Sequence, residues 1–221
     1  MLVSEVVQKS VVPVSLSTLL VDINPENYPD NLQYLPVVED EAFKGFLSLA
    51  DLPLDQELNE LVGQCDLEQV NESISPNQHI FEVMVLFQKS ALSVLPVLDE
   101  EKRYEGIVQL DRILNILAGS YAFQSEGAIL VLSVAAIDYS LAEISRLVES
   151  NQAKILAVMV EADSFTHDKL LVHMRINQPD LSRVVATLER FSYHVVEVHH
   201  TTEVTSLDQE RLDQLMKYLG I

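Results

Sequence analysis

The 221-residue chain carries 34 Asp and Glu against 14 Lys and Arg, a formal charge of −20, and 48% of its residues are hydrophobic. That apolar content excludes disorder and allows a sizeable core, while the lack of clustered cations argues against nucleic acid and against an anionic membrane surface. No apolar run approaches the roughly eighteen residues of a spanning helix, no basic-then-apolar leader opens the sequence, and one cysteine, Cys65, forms neither an intramolecular disulfide nor a cysteine metal cage, so a cytoplasmic protein is expected.

Taken in chain order, the first clear element is a hairpin. Leu35-Pro36-Val37-Val38 leads through the acidic turn Glu39-Asp40-Glu41 to Gly45-Phe46-Leu47-Ser48. The pattern recurs as Leu95-Pro96-Val97-Leu98, Asp99-Glu100-Glu101 and Gly106-Ile107-Val108-Gln109, with the two prolines sixty positions apart. Val14-Ser15-Leu16-Ser17 and Ile74-Ser75-Pro76-Asn77 are matching entries ahead of each hairpin. A repeat of this length fixes the architecture as one structural unit used twice, with paired clefts between the copies. Unit one is expected over residues 1–52, a linker helix over 53–71 and unit two over 72–118. In unit one, Asp22–Asp30 contains Pro25 and Pro29, which forbid a regular helix ahead of the hairpin. In unit two, Ile80, Val83, Met84 and Phe87 share one helical stripe, and a closing helix runs through Ile113, Leu114 and Leu117 until Ala118-Gly119-Ser120 stops it.

After Gly127 the pattern changes. Ala128–Val134 is a continuous apolar strand, followed by a helix carrying Leu141, Ile144, Leu147 and Val148 and capped by Asp138 or Ser140. Lys154–Val160 and Lys169–Ile176 are strands, Leu181, Val184, Val185, Leu188 and Phe191 mark a second helix, and Tyr193–His199 is a fourth strand. The order β-α-β-β-α-β over residues 127–202 is the ferredoxin-like split βαβ unit, and residues 203–221 are expected to hold a terminal helix. Alternation places Leu170, Val172, Met174 and Ile176 against the helices and Leu171, His173 and Arg175 on the open face, with Val195, Glu197 and His199. The first two strands are apolar on both faces, which predicts that the open face is covered, most simply by a second copy in a homodimer.

The repeated Leu-Pro-Val hairpins resemble the tandem cystathionine-β-synthase (CBS) pair, or Bateman module, over about residues 1–120. The β-α-β-β-α-β segment looks like an ACT-type regulatory domain, and the combination is similar to bacterial proteins named for acetoin utilisation, with Ile144-Ser145-Arg146-Leu147-Val148-Glu149-Ser150-Asn151 supporting that likeness. The fold class implied is α+β: two β-α-β-β-α units, then an ACT-like domain, then a helical tail. The resemblance implies a ligand-sensing regulatory module rather than an enzyme. Its nucleotide signature is a glycine, two apolar residues, Ser or Thr, two further residues and Asp. Gly45-Phe46-Leu47-Ser48-Leu49-Ala50-Asp51 fits throughout, which assigns Ser48 to a phosphate at a helix start and Asp51 to the ribose, beside Gly45 and Pro36. Without a ligand, the same two residues are an N-cap and a first-turn acid contributing about 1 kcal/mol.

The second copy departs from the signature. Gln109 replaces the hydroxyl and Arg112 stands in place of the carboxylate; Asp111 comes one residue early, about 100° round a helix. Gly106, Gln109 and Arg112 therefore mark a degenerate site. The ligand implied is AMP, ADP, ATP or another adenosyl compound, with Mg²⁺ only alongside a polyphosphate and no obligatory cofactor. ACT-type domains imply amino-acid binding where the first strand meets the first helix, here Asp138, Tyr139 and Ser140, without the usual glycine. His194, Glu197, His199 and His200 lack the spacing of an inverted zinc motif, and nothing near Cys65 in sequence activates it as a nucleophile, so no catalytic or metal site is assigned. The alternative reading is a ligand-free dimerisation scaffold; an enzyme is the least favoured.

Overall fold

The computed structural model describes residues 1–29, 31–52, 60–90, 92–166 and 168–199 of the 221-residue chain. It is a mixed α+β structure with two compact units, Met1–Leu117 and Ala118–Ile221.

In the N-terminal unit, β1 (Tyr34–Glu39) pairs antiparallel with β2 (Ala42–Ser48), and β3 (Val94–Leu98) with β4 (Tyr104–Gln109). The two hairpins share one irregularity. Val37 faces Gly45 and the register then slips; Val97 faces Gly106 and the register slips at the same place. The first turn places Asp40 and Glu41 at positive φ (49° and 64°), the conformation of a two-residue hairpin loop whose twist matches the strands. The second turn is longer and uses Lys102 at φ 66°, with the Arg103 guanidinium held 2.8 Å from the Asp99 carboxylate.

Gly45 and Gly106 sit at φ 146° and 152°, and the reason is a neighbouring segment rather than the hairpin. Phe46 and Glu68 exchange backbone hydrogen bonds of 3.0 and 2.8 Å, and Gln8 donates to the Ile107 carbonyl at 2.8 Å. A Cβ at Gly45 would stand 3.1 Å from the Glu68 carbonyl, and one at Gly106 would stand 2.9 Å from the Gln8 carbonyl and 2.8 Å from a Val7 methyl. The segments that close on these glycines come from the opposite repeat. Residues 2–8 lie along the second hairpin and residues 61–68 along the first, with bridges Leu2–His79 and Leu19–Leu61 repeating the arrangement. The cores are built the same way: Val3 and Val6 pack with Ile74, Val83, Leu95 and Ile113, whereas Val62 packs with Leu35, Val37 and Phe46.

Outside the hairpins the repeats differ. The second holds α1 (Ile80–Lys89), which buries Ile80, Val83 and Phe87, and α2 (Leu110–Ala118), which buries Ile113 and leaves Leu114 half exposed. At the positions of α1 the first repeat has only the 3-10 turns Leu20–Asp22 and Pro25–Asn27, as Pro25 and Pro29 require. Where α2 begins, it has the 3-10 turn Leu49–Asp51. Against the expected β-α-β-β-α unit, the second copy has α1-β3-β4-α2 with only an isolated bridge, Ile74–Val97, in place of a leading strand, and the described part of the first copy has the hairpin and 3-10 turns. The expected linker helix is also corrected: residues 60–71 run extended with a 3-10 turn, Val62–Gln64, because their backbone is committed to pairing with the first repeat, and residues 53–59 lie outside the described residues.

In the C-terminal unit α3 (Tyr121–Gln124) precedes β5 (Ala128–Ala135), α4 (Leu141–Glu149), β6 (Ile155–Ala162), β7 (Lys169–Ile176), α5 (Ser182–Arg190) and β8 (His194–His199). The sheet order is β6-β7-β5-β8, antiparallel throughout, the split βαβ arrangement. Leu130, Leu132, Val172, Met174 and Ile176 face Ile144, Leu147, Val148, Val184 and Leu188 in a fully buried core. On the other face α3 packs beside β6, and Arg175 donates from Nη2 to the Ser125 carbonyl at 2.7 Å.

One strand departs from simple alternation. The register between β5 and β8 slips, so Glu197 faces Val131 while Val195 faces Leu132. Val195 therefore joins the core instead of the open face, and His194 shares a face with Glu197 and His199. The terminal helix expected over 203–221 lies outside the described residues, as does His200.

Candidate functional site

The first cleft opens at the end of β2. It encloses about 280 Å³ between Leu20, Leu47, Ser48, Leu52, Cys65 and Asp66. Ser48 is positioned by the antiparallel pairing of β1 and β2, and its hydroxyl does not cap the adjoining 3-10 turn. Asp66 and Cys65 arrive on the segment crossing from the second repeat, and the sequence signature contains neither. Burial, reinforced by the Glu60 and Asp66 carboxylates, raises the Cys65 thiol above its ordinary value. The thiol therefore stays protonated at neutral pH and is a poor nucleophile.

Of the other signature residues, Gly45 and Pro36 are buried in the hairpin, with the Pro36 carbonyl accepting from Val14 at 2.9 Å. Neither lines the cleft. The Asp51 backbone closes the 3-10 turn after Ser48, while its side chain lies outside what the structure describes.

The second cleft, of about 440 Å³, is lined by Gln8, Asn31, Gln109, Asp111, Arg112, Asn115 and Ile116. Its signature residues are engaged with the chain itself. Gln109, only 6% exposed, accepts from Gln8 Nε2 at 3.0 Å and donates to the Asn31 carbonyl at 3.3 Å. Arg112 donates from Nε to the Val6 carbonyl at 2.9 Å, and Asp111 accepts from the Asn31 amide. The substitutions that break the nucleotide signature thus fasten the crossing segment and the residue after Asp30. Gly106 permits the same approach.

A third cleft, of about 360 Å³, lies in the C-terminal unit between Ser133, Val134, Ala135, Asp138, Glu143, Phe191, Ser192 and Tyr193. Of the three residues expected at the strand–helix turn, only Asp138 lines it. Tyr139 packs on the core, and Ser140 caps α4 by accepting from the Glu143 amide at 3.3 Å. Burial and the Glu143 carboxylate raise the Tyr193 phenol above its ordinary value, and the Arg146 guanidinium lies 5.6 Å from the Phe191 ring centre. No sequence signal assigns Glu143, Phe191 or Tyr193 to a site; the last two reach the cleft through the tight turn at Ser192 (φ 66°).

On the open face of the sheet, His199 pairs with Glu197 at 2.7 Å and His173 with Glu161 at 3.1 Å. Among the described residues no three or more His, Cys, Asp or Glu are grouped to hold a metal ion, and no helix is long and apolar enough to cross a membrane.

No curated protein matches the chain. Among solved structures, a CBS domain pair/ACT domain protein from Thermotoga maritima is similar at 25% identity, over 53% of this chain and 96% of that one, with a TM-score of 0.45. The cytosolic domain of the Mg²⁺ channel MgtE in complex with ATP is similar at 26% identity, over 50% of this chain and 46% of that one, with a TM-score of 0.44. A CBS domain pair in complex with 5′-methylthioadenosine and S-adenosylmethionine is similar at 19% identity, over 54% and 97%, with a TM-score of 0.44. Residues 69–119, which carry α1, the second hairpin and α2, match the family model of the CBS domain.

Proposed function

We propose that the N-terminal unit is a CBS pair acting as a regulatory sensor, which takes an adenosine-type ligand in its first cleft and passes that state to an ACT-like, dimeric C-terminal unit. The observation that carries this reading is the repetition. The hairpin inside the CBS-matched segment recurs in the first repeat with the same bulge, a glycine at the same place and an equivalent crossing segment. In that first repeat the hydroxyl of Ser48 remains at a cleft instead of being replaced. Asp51, which completes the signature, is proposed to accept the ribose hydroxyls.

Thermal unfolding with a panel of adenosine compounds tests the proposal. A ligand at a hundred times its dissociation constant stabilises the fold by about 2.7 kcal/mol. Asp51→Ala is expected to weaken binding by about 1–3 kcal/mol, roughly five- to a hundred-fold; unchanged affinity removes Asp51 from the site. Sedimentation at micromolar concentration checks the dimer, and a monomer there overturns that part.

A second reading, a ligand-free interaction scaffold, draws on the second cleft, where Gln109 and Arg112 serve the chain's own backbone. A stable dimer that no ligand stabilises supports the scaffold over the sensor.

A further inference from the structure

We infer that the first cleft selects adenosyl compounds that are uncharged or positively charged at the 5′ position, and rejects those carrying phosphate. The inference rests on the adenosine reading and narrows it.

Phosphate recognition needs either a bank of unpaired backbone N–H groups or nearby cations. Among the described residues that line it, the first cleft has no Lys or Arg. Ser48 leads into a single 3-10 turn of three residues, whose first amide, that of Leu49, already donates to the Gln33 carbonyl at 2.9 Å. The walls supplied by Leu20, Leu47 and Leu52 are aliphatic, and the polar groups on them are the Ser48 hydroxyl, the Cys65 thiol and the Asp66 carboxylate.

Charge extends the argument beyond the walls. From Gly45 to Gln88 the sequence contains no Lys or Arg, but it contains eight Asp and Glu. Of the two lysines that precede this stretch, Lys9 is paired with Glu105 at 2.8 Å, and Lys44 lies on the exposed side of β2, four residues before Ser48. Two of these carboxylates act at the cleft itself: Glu60 and Asp66 both raise the Cys65 thiol, beside its burial. A phosphate entering here meets the Asp66 carboxylate, with no Lys or Arg among the described lining residues to offset it. A neutral thioether loses nothing, and a sulfonium gains the attraction of Asp66.

Isothermal titration of the full chain with adenosine, 5′-methylthioadenosine, S-adenosylmethionine, AMP and Mg²⁺–ATP tests the inference. The expected order places the neutral and cationic compounds at least about tenfold tighter than either phosphate, a gap that narrows at high salt as the carboxylate field is screened. Asp66 is exposed, so its substitution spares the fold. Asp66→Asn is expected to weaken S-adenosylmethionine about fivefold while leaving adenosine within about twofold, and Asp66→Lys to bring AMP level with adenosine. AMP or ATP binding as tightly as adenosine overturns the charge selection and leaves the adenosine reading standing. Failure of all five compounds to bind overturns both.

Discussion

Tyr104, at the start of β4, carries its hydroxyl into the interior of the N-terminal unit, where the ring stacks on Phe43 with centroids 6.2 Å apart. The hydroxyl finds no hydrogen-bond partner among the described residues, and burial raises its pKa from the ordinary 10.0 to well above that value. The sign is direct. Well below pH 10 the phenol is neutral in both states and its ionisation takes nothing from stability; as pH rises further the unfolded chain ionises first, and stability falls. Tyr104→Phe is expected to keep the stacking, raise stability by about 1 kcal/mol at neutral pH and flatten the alkaline fall, as urea unfolding at about pH 7 and pH 10.5 would show. Single residues are also where the sequence speaks most unevenly. The repeat aligns Ser48 with Gln109, and the signature that the family resemblance implies fits the first and departs at the second. Asp66, Glu143 and Tyr193 are not, because they reach their clefts from segments remote from any signature, and only tertiary structure brings them there.

The structural elements show the same division. Strands, turns and the split βαβ order are legible, since apolar runs and Gly, Pro and Asp punctuation are local signals. The linker helix expected from Leu54, Leu58, Leu61 and Val62 fails over the described part of that segment. Helical spacing is present there, but the backbone of residues 61–68 is committed to the first repeat, and tertiary pairing overrides a weak local preference. The bulge in β8 is equally invisible: one extra residue moves Val195 into the core, and no turn chemistry announces it. The glycines at the hairpin bulges are where an element is easiest to break. Gly106→Ala forces a Cβ into a backbone conformation that favours glycine and against the Gln8 carbonyl. It is expected to cost about 1–3 kcal/mol, measurable by denaturant unfolding, with released protection of the Gln8 amide in hydrogen exchange.

Across the N-terminal unit, the repeats exchange their leading segments, so neither core is complete without residues from the other copy. Val6 is 2% exposed in the core of the second repeat, although it precedes the first hairpin by almost thirty residues. Val6→Ala is expected to cost about 2 kcal/mol and to lower the unfolding midpoint of the whole unit as a single transition; a biphasic curve would show that the repeats melt independently. The exchange also orders events in time. The Gln8 amide finds its acceptor at Ile107, so during synthesis residues 2–8 cannot dock until the second hairpin has left the ribosome. At about 5–20 residues per second, that leaves an apolar, unpaired segment exposed for roughly 5–20 s, long enough for a nascent-chain chaperone to find it before the chain does.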